Sequence, residues 1–147
     1  MSETTAPSAV LHTERVISAT PAEIFAAFAD SATIARFWGP NGFTSTSTAF
    51  DFTPGGRWIV TLHGPDGADY PNEYVFKEIQ KDAKIVIEHV VDHWFQLTVT
   101  LTPKGEGTLL TWDQEFPNAE EADRLRPICE PANEQNLDRL EAVLAEG

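Results

Sequence analysis

Two histidines four residues apart are the most conspicuous candidates for chemistry in the sequence. His89 and His93 are flanked by Glu88 and Asp92, and on a helix this spacing could place two imidazoles on one metal ion. The preceding residues, 84–91, are rich in valine and isoleucine, which is typical of a strand. On a strand that rises ~3.3 Å per residue the two histidines would lie ~13 Å apart. We therefore predict that the protein holds no metal.

The sequence offers few nucleophiles and no recognisable cofactor motif. Cys129 is the only cysteine, so it cannot form an internal disulfide, and we interpret it as a buried, unreactive thiol that fits a reducing compartment. There is no Gly-x-Ser-x-Gly elbow, phosphate-binding loop or dinucleotide fingerprint. We therefore assign no catalytic residue and predict no cofactor.

The charge balance excludes two classes of partner. The chain has 10 Lys and Arg against 23 Asp and Glu, a formal net charge of −13, which disfavours nucleic acid and anionic membrane surfaces. No apolar run approaches the ~18–20 residues that span a bilayer. The first residues lack the basic-then-apolar order of a signal peptide, so we expect a cytoplasmic protein. A chain of 147 residues has the size of one domain, and we expect residues 1–10 to form a flexible tail and residues 11–147 a single domain.

Helix signals follow the first apolar segment of the chain. Thr20 can cap a helix that has Pro21 at its first position and Glu23 at its third, which is a strong start signal. Asp30 is placed to cap a second short helix, and the Gly and Pro residues of segment 39–42 end all helix. The pattern predicts two short helices after the first strand.

Strands with short connections fill the middle of the chain. The first strand lies near Val16 and Ile17, and six more are predicted at residues 43–52, 57–63, 74–79, 84–91, 94–102 and 108–116. Because no helix separates these six, neighbouring strands must pair antiparallel. The fold class is therefore α+β, with about seven antiparallel strands.

A long helix is predicted at the C-terminus. Asn118 and Glu121 have the spacing of a capping box, and an apolar stripe follows, formed by Leu125, Ile128, Ala132, Leu137, Leu140 and Leu144. Pro127 and Pro131 are expected to kink or divide this helix, since each removes a backbone donor. The sheet must bury one face, and we expect it to curl around this helix and leave a cavity.

Alternation along the strands identifies the residues that face the helix. Trp58, Tyr74 and Trp112 are the best candidates for the cavity because they combine apolar area with a polar tip. His89 is predicted to point inward because the neighbouring Glu88 would be costlier to bury. The complete predicted ligand-binding set shares inward-facing positions or proximity to the cavity: Trp38, Phe43, Trp58, Tyr74, Phe76, His89, Leu97, Trp112 and Cys129.

Four stretches of sequence resemble a known family. Segments 20–25, 37–40, 50–58 and 63–67 are similar to signature stretches of bacterial proteins that resemble the C-terminal domain of the activator of heat-shock-protein-90 ATPase, within the START-like (SRPBCC) superfamily. This resemblance implies a helix-grip fold with a cavity between the sheet and the C-terminal helix. It covers nearly the whole chain and does not specify an activity.

Three functions follow from the resemblance and the inward-facing residues. The first is binding of a small hydrophobic or aromatic ligand in the cavity, without catalysis. The second is a cyclase- or hydrolase-like enzyme that uses the same cavity, and the third is a module that binds a chaperone or regulator. The sequence does not decide the oligomeric state, and a homodimer is one possibility.

Overall fold

The computed structural model describes residues 9–91 and 94–146. In chain order its elements are β1 (Val10–Ile17), α1 (Pro21–Ala29), α2 (Ser31–Ile34), β2 (Thr44–Phe50), β3 (Arg57–His63), β4 (Asp69–Gln80), β5 (Lys84–His89), β6 (Phe95–Lys104), β7 (Gly107–Glu115) and α3 (Ala119–Ala145). This confirms the predicted α+β helix-grip fold. Residues 1–8 of the predicted tail lie outside the described residues.

The seven strands form one antiparallel sheet in the order β1-β7-β6-β5-β4-β3-β2. Strands β2 to β7 follow one another as neighbours, as their short connections predict. Because β1 and β2 lie at opposite edges, the connection that carries α1 and α2 crosses the width of the sheet. This connection brings the segment between α2 and β2 close to α3.

The helices begin where the sequence predicts. The Thr20 hydroxyl accepts a hydrogen bond from the Glu23 backbone N–H at 3.1 Å, and the Glu23 carboxylate accepts one from the Thr20 N–H at 2.8 Å. The Asp30 carboxylate accepts from the Thr33 N–H at 3.0 Å, and the Asn118 side chain accepts from the Glu121 N–H at 2.8 Å. These bonds satisfy donors that the first helical turn leaves free.

Alternate residues of each strand form the buried inner face. Trp58, Val60, Tyr74, Phe76, Leu97, Val99, Leu101, Leu110 and Trp112 are all at most 4% exposed. Ile24 and Phe28 of α1 and Leu137 and Leu140 of α3 complete the same core. The period-two pattern therefore gave the correct face of the sheet.

Helix α3 is one continuous helix of 27 residues that includes Pro127 and Pro131, so these prolines do not divide it, and the alternative outcome, a kink, stays a prediction. Each proline removes a single backbone hydrogen bond, and ion pairs along the surface of the same turns link Arg126 to Asp123 and to Glu130. The backbone hydrogen bonds in the rest of this long helix keep the turns around Pro127 and Pro131 helical.

The predicted apolar stripe of α3 is wrong at one position. Ile128 is 68% exposed, whereas Leu137 is fully buried. The two residues are nine positions apart, which is two and a half turns at ~3.6 residues per turn, so they point in opposite directions.

Strand β4 starts at Asp69, five residues before its predicted start at Tyr74. Pro71 made this segment look unlike a strand. In the structure Pro71 pairs with Thr61 of β3, but β5 pairs with β4 only from Tyr74 onward. The missing N–H of Pro71 therefore costs the sheet no ladder hydrogen bond.

An arginine fastens α3 to the edge strand β1. The Arg15 guanidinium contacts the carboxylates of Asp138 and Glu141 at 2.7 Å and of Glu134 at 2.8 Å. Three carboxylates on one side of α3 thus share a single cation.

Among the described residues, no helix combines the length and apolar character needed to cross a membrane.

Candidate functional site

A cavity of about 140 Å³ lies between the inner face of the sheet, α3 and the segment that follows α2. Its wall is mainly apolar and aromatic, with a few amide groups. The lining residues are Trp38, Gly39, Pro40, Leu62, Tyr74, Phe95, Leu97, Trp112, Gln114, Cys129, Ala132, Asn133 and Asn136. Pro40, Cys129 and Ala132 are partly exposed, so the cavity reaches the surface between this segment and α3.

Larger depressions lie on the surface, among them one of about 350 Å³ between the end of β1 and the turn that precedes β7. One of about 270 Å³ lies between β1 and α3, and one of about 440 Å³ lies between the first helices and the end of α3. Their walls include exposed charged residues, among them Glu130, Glu134, Arg36 and Glu146. The 140 Å³ cavity is the one built from buried aromatic side chains, which is the usual character of a small-molecule site.

Trp38 is the centre of an aromatic cluster that forms part of the cavity wall and extends behind it. Its ring centroid lies 5.0 Å from that of Trp58, 5.6 Å from that of Tyr74 and 6.1 Å from that of Trp112. The other three rings stand on strands β3, β4 and β7, whereas Trp38 comes from the segment after α2. The position of that segment therefore decides the shape of the cavity.

Asn136 of α3 fixes this segment to the helix. Its side-chain oxygen accepts a hydrogen bond from the Gly39 N–H at 3.0 Å, and its amide nitrogen donates to the Phe37 carbonyl at 3.0 Å. Both backbone groups flank Trp38. Because Asn136 is only 7% exposed, these bonds satisfy polar groups that would otherwise be buried without partners.

Arg139, one turn further along α3, binds the same segment. Its guanidinium donates to the carbonyls of Gly39 at 2.9 Å, of Pro40 at 3.0 Å and of Arg36 at 3.0 Å. Burial lowers the pKa of Arg139. In the described part of the chain it forms no ion pair, and its partly exposed guanidinium is stabilised by these carbonyl groups and by solvent.

Gly39 has the backbone conformation that this turn requires. Its φ is +100°, and a Cβ at this position would approach the Phe43 Cβ at 3.4 Å. Side chains rarely adopt such a φ. The glycine thus lets the chain turn sharply between Trp38 and Pro40.

One buried polar atom of the wall has no partner. The Trp112 Nε1–H forms no hydrogen bond with any described residue, and Trp112 is 3% exposed. The other three indole groups are paired: Trp38 with the Tyr74 hydroxyl at 3.3 Å, Trp58 with the Ser47 hydroxyl at 2.9 Å and Trp94 with the Glu88 carboxylate at 2.7 Å.

The titratable groups of the wall remain neutral near pH 7. Burial raises the pKa of Tyr74 to about 12, opposed by the hydrogen bond from Trp38. Burial also raises the pKa of the Cys129 thiol. Among the lining residues that the structure describes there is no carboxylate, lysine, arginine or histidine. The described part of the wall therefore offers apolar contacts and hydrogen bonds.

The structure places five of the nine predicted ligand-binding residues at the cavity: Trp38, Tyr74, Leu97, Trp112 and Cys129. The other four lie outside its lining. Trp58 and Phe76 are fully buried behind it, with parallel rings 6.2 Å apart, and Phe43 packs at the surface against Tyr70.

His89 is buried one layer away from the cavity. Its Cα pairs with Tyr74 on one side and Phe95 on the other, and its ring stacks on that of Phe95 at 4.7 Å. Its Nε2 lies 2.7 Å from the Asn72 side-chain oxygen. The inward orientation follows the prediction, but Tyr74 and Phe95 separate His89 from the cavity.

The amide-bearing residues Gln114, Asn133 and Asn136 were not in the predicted ligand-binding set, although alternation along the strand places Gln114 on the same inward face as Trp112. The Asn133 amide donates to the Gln114 side-chain oxygen at 3.1 Å, which joins α3 to β7. A signal for Asn136 was available, since it lies four residues before the buried Leu140 and thus on the same face of α3. A polar residue within an apolar stripe indicates a specific hydrogen-bonded role.

The described residues contain no cluster of three metal-binding side chains. His93 and Asp92, which complete the histidine pair predicted not to bind metal, lie outside the described residues. The distance between the two histidines therefore stays a prediction.

Known proteins share this architecture. The family model described as activator of Hsp90 ATPase homolog 1-like protein matches residues 18–145. Among solved structures, a protein from Chromobacterium violaceum is 25% identical with a TM-score of 0.82, covering 91% of this chain and 96% of its own. One from Arthrobacter aurescens is 22% identical with a TM-score of 0.88, covering 95% and 88% respectively.

A third solved structure carries the family name. The AHSA1 protein from Silicibacter pomeroyi is 22% identical to this chain, with a TM-score of 0.75, covering 93% of this chain and 98% of its own. Among curated proteins, none matches the chain significantly.

Proposed function

We propose, given that this chain belongs to the family of activator of Hsp90 ATPase homolog 1-like proteins, that it binds a small, mainly apolar molecule in the cavity between α3 and the sheet. The observation that carries this proposal is the aromatic cavity of about 140 Å³ with an opening beside α3. Four aromatic residues line this cavity. Trp38 comes from the segment that follows α2, and Tyr74, Phe95 and Trp112 come from three different strands.

The volume limits the size of the ligand. A cavity of ~150 Å³ lined by apolar side chains can hold benzene, so a cavity of about 140 Å³ suits one ring with a small substituent. Because the cavity opens to the surface beside α3, a two-ring or long-chain molecule would extend through this opening unless α3 or the segment around Gly39 moved. The anchoring of that segment by Asn136 and Arg139 supports a ligand of the smaller size.

The wall supports binding in preference to acid–base catalysis. A general acid or base at neutral pH needs a pKa near 7. In the described ranges, the titratable groups that line the cavity are the Tyr74 phenol, whose pKa is about 12, and the Cys129 thiol, whose pKa is raised by burial. A cyclase- or hydrolase-like reaction would have to rely on shape and hydrogen bonds alone.

The family name also suggests a chaperone-binding role. Such a role requires an apolar surface patch. The large hydrophobic residues that are exposed in the described ranges are Val16, Ile59, Tyr70, Val90 and Ile128, and Val16 on β1 lies five strands away from Ile59 on β3. This scatter gives less support to a protein-binding module than the aromatic cavity gives to a small ligand.

Single-ring compounds such as toluene and acetophenone test the proposal directly. We expect saturable quenching of tryptophan fluorescence in the parent protein, because Trp38 and Trp112 line the cavity. Ala132→Phe should fill the cavity from α3 and weaken binding at least tenfold. The matched control is Ala142→Phe, an exposed position on the same helix, which should leave binding unchanged. If no single-ring compound binds, or if both variants bind like the parent, the site lies elsewhere.

A further inference from the structure

The unpaired indole N–H of Trp112 points to a chemical class of ligand. Trp112 is 3% exposed and lines the cavity, and its Nε1–H lacks an acceptor anywhere in residues 9–91 and 94–146. Buried tryptophan N–H groups normally find a hydrogen-bond partner. Building on the proposed function, we propose that the ligand supplies this acceptor as a neutral carbonyl-type oxygen.

A second donor lies near the first. The Tyr74 hydroxyl accepts from the Trp38 Nε1–H at 3.3 Å, and the proton of that hydroxyl has no acceptor in the described part of the chain. Both Tyr74 and Trp112 pack against the Trp38 ring. The lining therefore holds two donors that lack an acceptor among the described residues, and a ligand oxygen can accept from either.

The surroundings favour a neutral oxygen over a carboxylate. Among the described residues no cationic side chain lines the cavity, and burying an unpaired carboxylate costs far more than burying a carbonyl. Arg139 is not among the lining residues, and its NH1 and NH2 groups donate to backbone carbonyls of the segment that follows α2. The net charge of −13 also repels anions.

Two compounds of nearly the same shape isolate the hydrogen bond. Acetophenone carries a C=O group where α-methylstyrene carries C=CH₂, and both have a single ring. We expect Trp112→Phe, which keeps an aromatic ring but removes the N–H, to weaken acetophenone binding about five- to tenfold. The affinity for α-methylstyrene should change less than about twofold, because it makes no such bond.

Trp58→Phe is the matched control. It also removes one buried indole N–H, but that group donates to Ser47 and Trp58 does not line the cavity. The ratio of the two affinities should therefore be the same in Trp58→Phe as in the parent. Comparing ratios removes the different hydrophobicity of the two compounds and any general loss of stability.

The indole N–H resonances give an independent test. They are measured in the parent protein, so the result does not depend on whether a variant folds. The four tryptophans give four such resonances in a ¹H–¹⁵N spectrum. With acetophenone, the Trp112 resonance should move downfield and its proton should exchange more slowly with water. With α-methylstyrene the proton exchange rate should not fall.

The possible results separate this inference from the proposed function. Equal weakening of both compounds in Trp112→Phe, with no change in indole exchange, would overturn the inference while leaving the cavity as the binding site. Tighter binding of benzoate than of acetophenone would also overturn it. Failure of all three compounds to bind would overturn the proposed function itself.

Discussion

The two apolar clusters that α3 contacts differ greatly in size. In the described residues, the large cluster has 21 buried members and joins α1, α2, the sheet and the C-terminal half of α3 through Leu137 and Leu140. The small cluster has three buried members, Leu11, Phe116 and Ala122, near the N-terminal half of α3. Phe95 packs against both, and it lines the cavity.

The difference explains where the cavity forms. Between the two clusters, α3 contributes Cys129, Ala132 and Asn133 to the wall, which are small or polar side chains. Native interiors are close-packed only where side chains are large enough to fill them. The space therefore remains at the junction of the clusters, where the large aromatic side chains of the sheet face short side chains of the helix.

The same substitution at the two ends of α3 tests this comparison most strongly. Leu137→Ala in the large cluster should lower the free energy of unfolding by about 3 kcal/mol, because Leu137 is fully buried. Leu125→Ala beside the small cluster, where the side chain is half-buried, should cost about 1 kcal/mol. Urea unfolding measures both. Equal losses would mean that the two clusters pack alike.

Asn136 lies where the large cluster meets the cavity. Asn136→Ala should cost about 2 kcal/mol, because it leaves the Gly39 N–H and the Phe37 carbonyl buried without partners. It should also weaken ligand binding by releasing the segment that carries Trp38. The half-buried Asn133, which bonds to the side chain of Gln114, gives the comparison: Asn133→Ala should cost less than about 1 kcal/mol.

The prolines weaken the half of α3 that leads to the small cluster. Pro131→Ala restores an N–H in the helix interior and should raise the free energy of unfolding by about 1 kcal/mol, since the gain is partly offset by a more flexible unfolded chain. Pro117→Ala, which precedes the helix cap, should give no gain. A loss of stability in Pro131→Ala would show that the cavity region needs the proline.

The smallest effect concerns a titrating group beside the small cluster. Hydrogen bonds to Asp113 and then Glu14 raise the pKa of His12 above 6.5. Because the folded pKa is raised, the stabilisation is fully present below pH 6.5 and is lost as the pH rises through the folded value. His12→Gln should therefore show a smaller fall in the free energy of unfolding between pH 6 and pH 8.5 than the parent.

Urea unfolding at the two pH values measures this difference, and the other histidines cancel because both proteins contain them. His12 is half-exposed, so solvent screens its contacts and the effect stays small. An identical pH dependence in parent and variant would contradict the contribution of His12.

Local sequence determined the order of elements and the faces of the strands. The hydroxyl of Thr20 and the carboxylate of Asp30 act on backbone groups within three residues, so their capping roles are visible in any short window of the sequence. Alternation in β3 and β7 likewise fixed the inward orientation of Trp58 and Trp112.

Tertiary structure alone decided which inward residues meet the cavity. Tyr74 and Phe76 share one face of β4, yet only Tyr74 lines the cavity, because the distance of each from α3 and from Trp38 depends on how helix and sheet cross. The same holds for Asn136, whose partners Phe37 and Gly39 are nearly 100 positions away in the chain. A periodic pattern in the sequence shows which face of a helix or strand a side chain is on. Whether that side chain then lines the cavity or lies behind it depends on packing between elements that are distant in sequence.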